Sequence, residues 1–295
     1  MKALAEFSAR TPVLVQGASG RMGRRHTQLM RDYGTNIAAG TSLREAGGTI
    51  DGIPLFTDCL AAVRESGASA SICMVPPLET RSAVEEAVAA GITLIVTIAE
   101  GVPVHDALHL RRLTRQHNVT WIGASTPGIA LPGQAKLGFL PNVALAPGPV
   151  ALLTKSGTLS YEVGFRLVQL GLGQSLWLGV GGDAVKGTRF AELLPLMAQH
   201  GPTEAVVLIG EVGGTEEEEF AAALAARPLG KPVLCLLAGR EAKEGVAMGH
   251  AGALIYGGAG TLASKTAALT AAGAEVFATT TALVTRCAGL FGRLG

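Results

Sequence analysis

The stretch LVQGASGRMGRRH, residues 14–26, passes from an apolar run to a basic one through a turn that holds Gly17, Gly20 and Gly23. The apolar run predicts a strand, and the residues after the turn predict a helix. A strand-to-helix turn of this kind offers free backbone N–H groups to an anion, and glycine lets a ligand approach the backbone closely. The stretch therefore predicts the opening of a nucleotide-binding α/β domain.

The same alternation of short apolar runs and helical patterns continues along the whole chain, which is typical of βαβ units and parallel sheets. A Pro/Gly-rich stretch, LAPGPV at 145–150, interrupts it. We therefore expect two doubly wound α/β domains, residues 1–146 and 147–295, and a C-terminal helix near 281–294. The predicted strands are 12–16, 36–40, 70–75, 93–98, 119–123, 149–154, 176–180, 205–209, 232–239 and 274–279.

Composition narrows the class of protein. The chain has 295 residues, of which 48% are apolar and 16% charged, with a net charge of +1 and no basic block. Nucleic acid is therefore not an expected partner, and no apolar run is long enough for a membrane span. The N-terminus lacks the apolar region of a signal peptide, and four scattered cysteines predict buried free thiols. We therefore expect a cytoplasmic protein, of the bacterial cytosol or the mitochondrial matrix. We expect no metal site of its own, because the histidines show no metal-ligand spacing.

The glycine turn alone leaves the nucleotide open. The second predicted strand is followed by TSLRE, in which the acid comes late, after Arg44. An early acid would indicate the ribose contact of a dinucleotide, whereas Arg44 suits a ribose phosphate. NADP and coenzyme A both carry such a phosphate, so an NADP-dependent reductase remains an alternative, as does a tight turn without a ligand.

The second predicted domain contains a histidine set among small residues, His250 in MGHAGAL, and glycine-bearing turns that follow its strands. In a parallel sheet these turns gather at the carboxyl edge. Ser156 can cap a helix whose first amides would face a phosphate, and Glu211 can hold one imidazole nitrogen while the other attacks phosphorus. These residues predict a phosphorylated histidine, with an ordinary core or surface histidine as the alternative.

Charged residues nearby receive simpler interpretations. The run TEEEE, 215–219, predicts an acid-rich first helical turn capped by Thr215 rather than a metal site. Lys155 and Lys186 lie on turns where they could assist phosphate. In RMGRRHTQLMR we expect only Arg21 to touch phosphate, and the other basic residues to form a solvated helix face.

Several motifs together resemble the α subunit of succinyl-CoA synthetase, in order from about residue 11 to the C-terminus. They are GHAGAL, SGTLSYE, GVGGD, IGEVGG, TIAEGVP and IGASTPGIALPGQAKLGF. ATP-citrate lyase and malate–CoA ligase share related segments. The resemblance implies a Rossmann-like CoA-binding domain followed by a flavodoxin-like ligase domain.

The resemblance also implies site residues. The CoA-contacting residues would be Gly17, Ser19, Gly20, Arg21, Val75, Pro76, Ile98, Ala99 and Glu100. The family usually has VTPGKGG where this chain has TSLREAGG, 41–48, so that Arg44 would take the place of a CoA-contacting lysine.

In the second domain the resemblance implies that His250 is phosphorylated, that Glu211 contacts it, and that Ser156, Gly157 and Thr158 hold the phosphate. ATP or GTP, with Mg²⁺, would bind an ATP-grasp domain on a β subunit, in an αβ or α2β2 assembly.

A loop at 123–128 would lie near the acid substrate. It reads GASTPG where the family has GPNCPG or GPNTPG, and its Ser125, Thr126 and Pro127 would face the substrate. Succinate is the expected acid, with malate and citrate as alternatives. A CoA-binding regulatory protein without catalysis remains a second alternative.

Overall fold

The computed structural model describes residues 1–239, 253, 255 and 260–293. The chain divides into two compact units, Met1–Phe139 with Val185–Gly187, and Leu140–Ala184 with Thr188–Gly295. The domain boundary between residues 146 and 147 stays a prediction.

The first unit is a twisted α/β sheet with helices between its strands. Its strands are β1 Val13–Gln16, β2 Ile37–Thr41, β3 Thr49–Ile50, β4 Ile53–Phe56, β5 Ala70–Cys73, β6 Leu94–Thr97, β7 Thr120–Gly123, β8 Gly128–Leu131 and β9 Ala135–Gly138. Its helices are α1 Lys2–Ala5, α2 Arg21–Asp32, α3 Cys59–Ser66, α4 Thr80–Ala89 and α5 Val104–Gln116.

The strand order of this unit is β3-β4-β2-β1-β5-β6-β7. All neighbours are parallel except β3 and β4, and β8 and β9 pair with each other in an antiparallel hairpin. From β4 to β7 this is the Rossmann order, in which the direction of winding reverses between β1 and β5. Ligands of such sheets bind in the crevice at the carboxyl ends of the two strands at the reversal.

The second unit repeats the α/β plan with a different order. Its strands are β10 Pro147–Thr154, β11 Gln174–Gly179, β12 Ala205–Glu211, β13 Val233–Ala238 and β14 Glu275–Phe277. Its helices are α6 Gly157–Gln169, α7 Phe190–Gln199, α8 Glu216–Ala226, α9 Leu262–Ala271 and α10 Thr280–Leu290.

These five strands lie in the order β14-β13-β12-β10-β11, and every pair is parallel. This is the flavodoxin-like order, and its winding reverses between β10 and β12. The predicted fold class of two doubly wound domains, Rossmann-like and flavodoxin-like, is confirmed. Each of the ten predicted strands is present, with ends shifted by a few residues.

Burial of the central strands explains why they are continuous apolar runs. All four residues of β1 and all seven of β12 are buried, as expected for parallel strands covered by helices on both faces. The four cysteines are free and buried, as predicted. Burial raises the pKa of Cys73 to about 12, which keeps this thiol protonated and unreactive. No helix in the described part of the chain combines the length and hydropathy that a bilayer-spanning segment requires.

Candidate active site

The first crevice is a cavity of about 590 Å³ at the reversal point of the first sheet. It opens where β1 ends at the glycine turn and where β5 is followed by Val75. Its lining consists of Gln16, Gly17, Ser19, Gly20, Thr41, Ser42, Leu43, Arg44, Glu45, Thr57, Val75, Glu79, Ser82, Ala83 and Glu86. The cavity therefore collects the predicted phosphate loop and Arg44 at the edge where a Rossmann-like sheet binds its ligand.

Each of the three glycine positions in the turn has a different physical reason for lacking a side chain. Gly17 has φ +76°, and a Cβ there would lie 2.9 Å from the Met74 carbonyl oxygen. Gly20 is the N-cap of α2 and offers no side chain to its first amides. A Cβ on Gly23 would overlap with the carbonyl oxygen of Gly17 and lie 2.8 Å from that of Ala18. The glycines thus let α2 begin directly against the turn, with its N-terminal amides at the cavity.

The loop after β2 is fastened to this turn. Ser42 Oγ donates to Ser19 Oγ at 2.8 Å and accepts from the backbone N–H of Glu45 at 3.1 Å. Arg24 donates to the Ser19 carbonyl oxygen at 3.1 Å and pairs with the Glu45 carboxylate. Arg24 is exposed, as expected for the solvated face of α2, and its position one turn after Gly20 also brings its guanidinium back to the phosphate loop. Glu45 therefore brings a carboxylate to a cavity that is expected to receive phosphates.

We expect Glu45→Gln to tighten CoA binding by about two- to fivefold at low salt. The substitution removes a negative charge from the cavity and frees Arg24, and exposed charge interactions of this kind contribute roughly 0.2–1 kcal/mol. Calorimetry at two salt concentrations measures the change, which should shrink at high salt. Glu65→Gln, a half-exposed residue paired with Arg64 away from the cavity, is the control. Weaker binding by Glu45→Gln would contradict this role for the carboxylate.

The remaining predicted CoA residues of the first unit follow the carboxyl ends of its strands but do not line this cavity. Arg21, Pro76, Ile98, Ala99 and Glu100 are not among the lining residues. Arg21 begins α2, and Pro76 begins a short 3-10 turn at 77–79.

The predicted substrate loop is tied to the segment that follows β6. The N–H of Ser125 donates to the Ala99 carbonyl oxygen at 2.8 Å, and Ser125 has φ +57°. Thr126 is buried, and its Oγ1 accepts from the N–H of Gly128 at 3.0 Å. The structure thus brings Ala99 and Ser125 together, although the sequence linked them only by resemblance.

The reversal point of the second sheet lies between the ends of the adjacent strands β10 and β12. Ser156 is the N-cap of α6, and its Oγ accepts from the N–H of Leu159 at 3.4 Å. The N–H of Lys155 donates to the Ile209 carbonyl oxygen at 3.0 Å, which joins this turn to β12. Glu211 ends β12 and is buried. Glu211 and the Ser156 turn are therefore positioned by adjacent strands.

The acidic run 215–219 forms the acid-rich first turn of α8, as predicted, but without the predicted side-chain cap. Thr215 is the N-cap residue of α8 but makes no side-chain cap, and its hydroxyl donates to the Glu219 carboxylate. Glu217 is fully buried and pairs with Lys155 at 2.9 Å and with Lys265. From sequence, Glu217 was expected only as part of the acid-rich first turn of a helix, and Lys265 had no expected role. The signal for Lys265 is its spacing on α9, where it shares a buried face with Leu269.

Lys155, which from sequence could assist phosphate, pairs with the carboxylates of Glu216 and Glu217. Burial acts to lower the pKa of its amine, but Glu217 and Glu216 outweigh that effect and raise the pKa above its ordinary value. The lysine is held charged inside the unit, where two carboxylates surround it. Its contribution to the phosphate turn is consequently the position of its backbone next to Ser156.

His250 lies outside the described residues, within the stretch 240–252. Of the residues predicted for the phosphohistidine site, the structure describes Glu211 and the start of α6, and the role of His250 stays a prediction.

Comparison with known proteins assigns both units to families. Residues 8–101 match the CoA binding domain model, and residues 153–275 match the CoA-ligase model. The α subunit 2 of the ADP-forming succinate–CoA ligase of Archaeoglobus fulgidus is 46% identical over 267 residues, which cover 90% of this chain and 92% of the relative. The chain belongs to the succinate–CoA ligase α-subunit family.

Other members of this family act on a different acid. A subunit of the ADP-forming sulfoacetate–CoA ligase of Bilophila wadsworthia is 42% identical, covering 90% of this chain and 91% of the relative. Among solved structures, ATP citrate lyase from Methanothrix soehngenii has a TM-score of 0.83 at 21% identity, and the match covers 98% of this chain. The chain spans about half of that lyase, 52%, so this likeness concerns the fold.

As a succinate–CoA ligase α-type chain, the protein is an acid–thiol ligase subunit that uses coenzyme A. The glycine turn at 17–23 accordingly belongs to a CoA-binding domain, within the residues that the family model matches. The sequence had left NADP and coenzyme A open as the nucleotide with a ribose phosphate, and the match to the CoA binding domain model decides for coenzyme A.

Proposed function

We propose that the chain is the α subunit of a nucleoside triphosphate-dependent acid–CoA ligase that works through a phosphohistidine at His250. The observation that carries the proposal is that Glu211 and the Ser156-capped start of α6 lie at the ends of the adjacent strands β12 and β10, at the reversal point of the second sheet. A phosphorylated imidazole needs both a carboxylate for its second ring nitrogen and donors for its phosphoryl oxygens.

The proposed reaction has three steps. An imidazole nitrogen of His250 attacks the γ-phosphorus of ATP or GTP, a P–O bond breaks, and the nucleoside diphosphate leaves. An oxygen of the carboxylate substrate then takes the phosphoryl group, which breaks the N–P bond and forms an acyl phosphate. Finally the CoA thiol loses its proton to solvent or a base and attacks the acyl carbon, so that inorganic phosphate leaves and a thioester remains. Each intermediate conserves the activation supplied by the triphosphate.

In this proposal the residues of the second unit bind and orient. Ser156, Gly157 and Thr158 present the first amides of α6 to the phosphoryl oxygens, where the helix dipole favours negative charge. Glu211 accepts from the second ring nitrogen, which fixes the tautomer and stabilises the cationic phosphohistidine. No step requires a metal ion bound to this chain, and Mg²⁺ is assigned to the triphosphate on the partner.

For CoA, the residues of the first crevice fit the group. The backbone of Gly17, Ser19 and Gly20 lines the crevice at the start of α2, and Arg24 and Arg44 supply positive charge beside it. Arg21, Pro76 and the residues 98–100 are assigned to the remainder of the coenzyme along the same sheet edge. CoA provides the thiol, and the protein holds its phosphates.

The proposed acid is succinate or another small dianion. The loop that would contact it, with Ser125, Thr126 and Pro127, departs from the family pattern, and relatives of similar identity act on succinate or on sulfoacetate. Succinate, malate, citrate and sulfoacetate should therefore be compared directly. A clear preference in kcat/KM identifies the acid, and no turnover with any acid would favour the regulatory alternative.

The triphosphate site is assigned to a β subunit with an ATP-grasp domain, in an αβ or α2β2 assembly. The test is an assay of the purified chain with ATP or GTP, Mg²⁺, CoA and the acid, with and without the co-expressed β subunit. Thioester formation only in the presence of both chains is the expected result. Full turnover by this chain alone would contradict the assignment, and binding of NADPH instead of CoA would restore the reductase alternative.

We expect Glu211→Gln to slow phosphorylation of the complex by roughly 10- to 100-fold, because a hydrogen bond to a charged group contributes about 1.5–3 kcal/mol. The affinity for CoA should not change, since the carboxylate lies in the second unit. Rapid-quench measurement of labelled protein gives the rate. Glu204→Gln, an exposed residue just before the opposite end of β12, is the matched control. An unchanged rate for Glu211→Gln would remove Glu211 from the mechanism.

A further inference from the structure

Glu217 joins three parts of the second unit through one buried carboxylate. Its Oε1 accepts from the backbone N–H of Glu211 at 3.1 Å and from Lys155 Nζ at 2.9 Å. Its Oε2 accepts from Lys265 Nζ, on α9. The first contact is to the residue proposed to face the phosphohistidine, and the second is to the residue next to the α6 cap.

Gly210 of β12 leaves space for the Glu217 carboxylate because it has no side chain. A Cβ on Gly210 would lie 2.6 Å from Glu217 Oε1, so a larger residue at 210 would push the carboxylate away. Gly210 precedes Glu211 in the IGEVGG motif, and the close approach gives this glycine a physical reason.

The contacts around the Glu217 carboxylate form a network, and Glu216 and Glu218 add further contacts to its two lysines, Lys155 and Lys265. Lys155 Nζ lies 3.6 Å from Glu216 Oε2, and Glu216 Oε1 accepts from the N–H of Phe190 at 3.0 Å. Lys265 Nζ also donates to Glu218 at 3.1 Å, and Ser264 donates to the same carboxylate at 2.8 Å.

Stability alone is a poor explanation for such a network. Removing ions from water costs so much that well-packed apolar residues often replace a buried ion pair with no loss of stability. What apolar residues cannot do is accept a hydrogen bond from the Glu211 N–H and fix two lysines at defined distances. The geometry is therefore suited to setting positions, and the residue whose position it sets most directly is Glu211.

We propose that Glu217 is a positioning residue for phosphoryl transfer, which fixes the backbone of Glu211 relative to the Lys155–Ser156 turn and to α9. This inference rests on the proposed function, because it assigns Glu217 an effect on the phosphorylation step. Glu217 touches neither the phosphate nor the histidine in this account and acts through Glu211 and the turn.

The test compares Glu217→Gln with wild type in the complex with the β subunit, using ATP labelled at the γ-phosphate. Glutamine keeps the shape but places an amide donor against a lysine, so the network must rearrange. We expect the rate of labelling to fall about 10- to 100-fold, while the Kd for CoA changes less than twofold. Glu219→Gln is the matched control, because Glu219 lies on the same helix, is exposed and pairs with Arg189. It should be labelled at the wild-type rate.

The melting temperature of each variant separates an effect on the position of Glu211 from an effect on the stability of the protein. A purely structural role predicts a lower melting temperature for Glu217→Gln with wild-type labelling of the folded protein, and that result would overturn the inference. If Glu217→Gln does not fold, Lys265→Met decides, since it removes one arm of the network and should slow labelling at least threefold. A wild-type complex that takes no label refutes the proposed function and the inference together, whereas labelled wild type with equally fast variants refutes the inference alone.

Discussion

Gly23→Ala is expected to weaken CoA binding by at least about tenfold and to destabilise the first unit. The added Cβ would overlap with the Gly17 carbonyl oxygen and approach that of Ala18, so α2 must move away from the glycine turn. Overpacking of this kind costs typically about 1–3 kcal/mol, and tenfold in affinity corresponds to about 1.4 kcal/mol. The displaced helix would also carry Arg24 away from Ser19 and Glu45.

Calorimetry with CoA and thermal unfolding measure the two effects of Gly23→Ala. Gly201→Ala is the matched control, because a Cβ there meets nothing within 4 Å. It should bind CoA with wild-type affinity. Wild-type affinity and stability in Gly23→Ala would show that the turn tolerates a side chain and is not the CoA phosphate site.

His250→Asn is expected to reduce thioester formation by at least about 1,000-fold, because the proposed mechanism has no other nucleophile to carry the phosphoryl group. The affinity for CoA should stay unchanged, since the coenzyme binds the first unit. Steady-state assays of the complex with its β subunit give the rate. Residual turnover within tenfold of wild type would mean that the phosphoryl group reaches the acid by another route.

A matched control for His250→Asn is His117→Asn, an exposed residue that ends α5 in the first unit and has no assigned role. It should turn over at the wild-type rate. Loss of activity in both variants would indicate a general effect of histidine replacement instead of a nucleophile at 250.

The fold was predictable because parallel strands buried on both faces are continuous apolar runs, such as β1 and β12. Strands without a continuous apolar run were not predicted. β3 has only two residues, and the hairpin of β8 and β9 carries glycines at its ends, so neither leaves an apolar run of strand length. Strand order could not be read from periodicity, yet it decides which turns meet at the reversal points.

The candidate site was predictable where a local motif carries the chemistry, as at Gly17 and Ser156. Contacts between distant residues were not predictable. Arg24 and Glu45 are 21 positions apart, and Lys265 and Glu217 are 48 apart. From sequence, charged residues near a turn were expected to face solvent or phosphate. Lys155 is instead buried and pairs with the carboxylates of Glu216 and Glu217. A buried lysine is recognised from sequence only by its place on an apolar helix face, as Lys265 on α9 shows.

The most direct test of the account is to map the label in the complex after incubation with γ-labelled ATP and no acid. The account predicts one phosphoryl group per chain, labile in acid and stable in base, on the peptide that contains His250. It also predicts loss of the label on addition of the acid substrate and CoA. No label on this chain, or a label on a peptide without His250, would contradict the central claim.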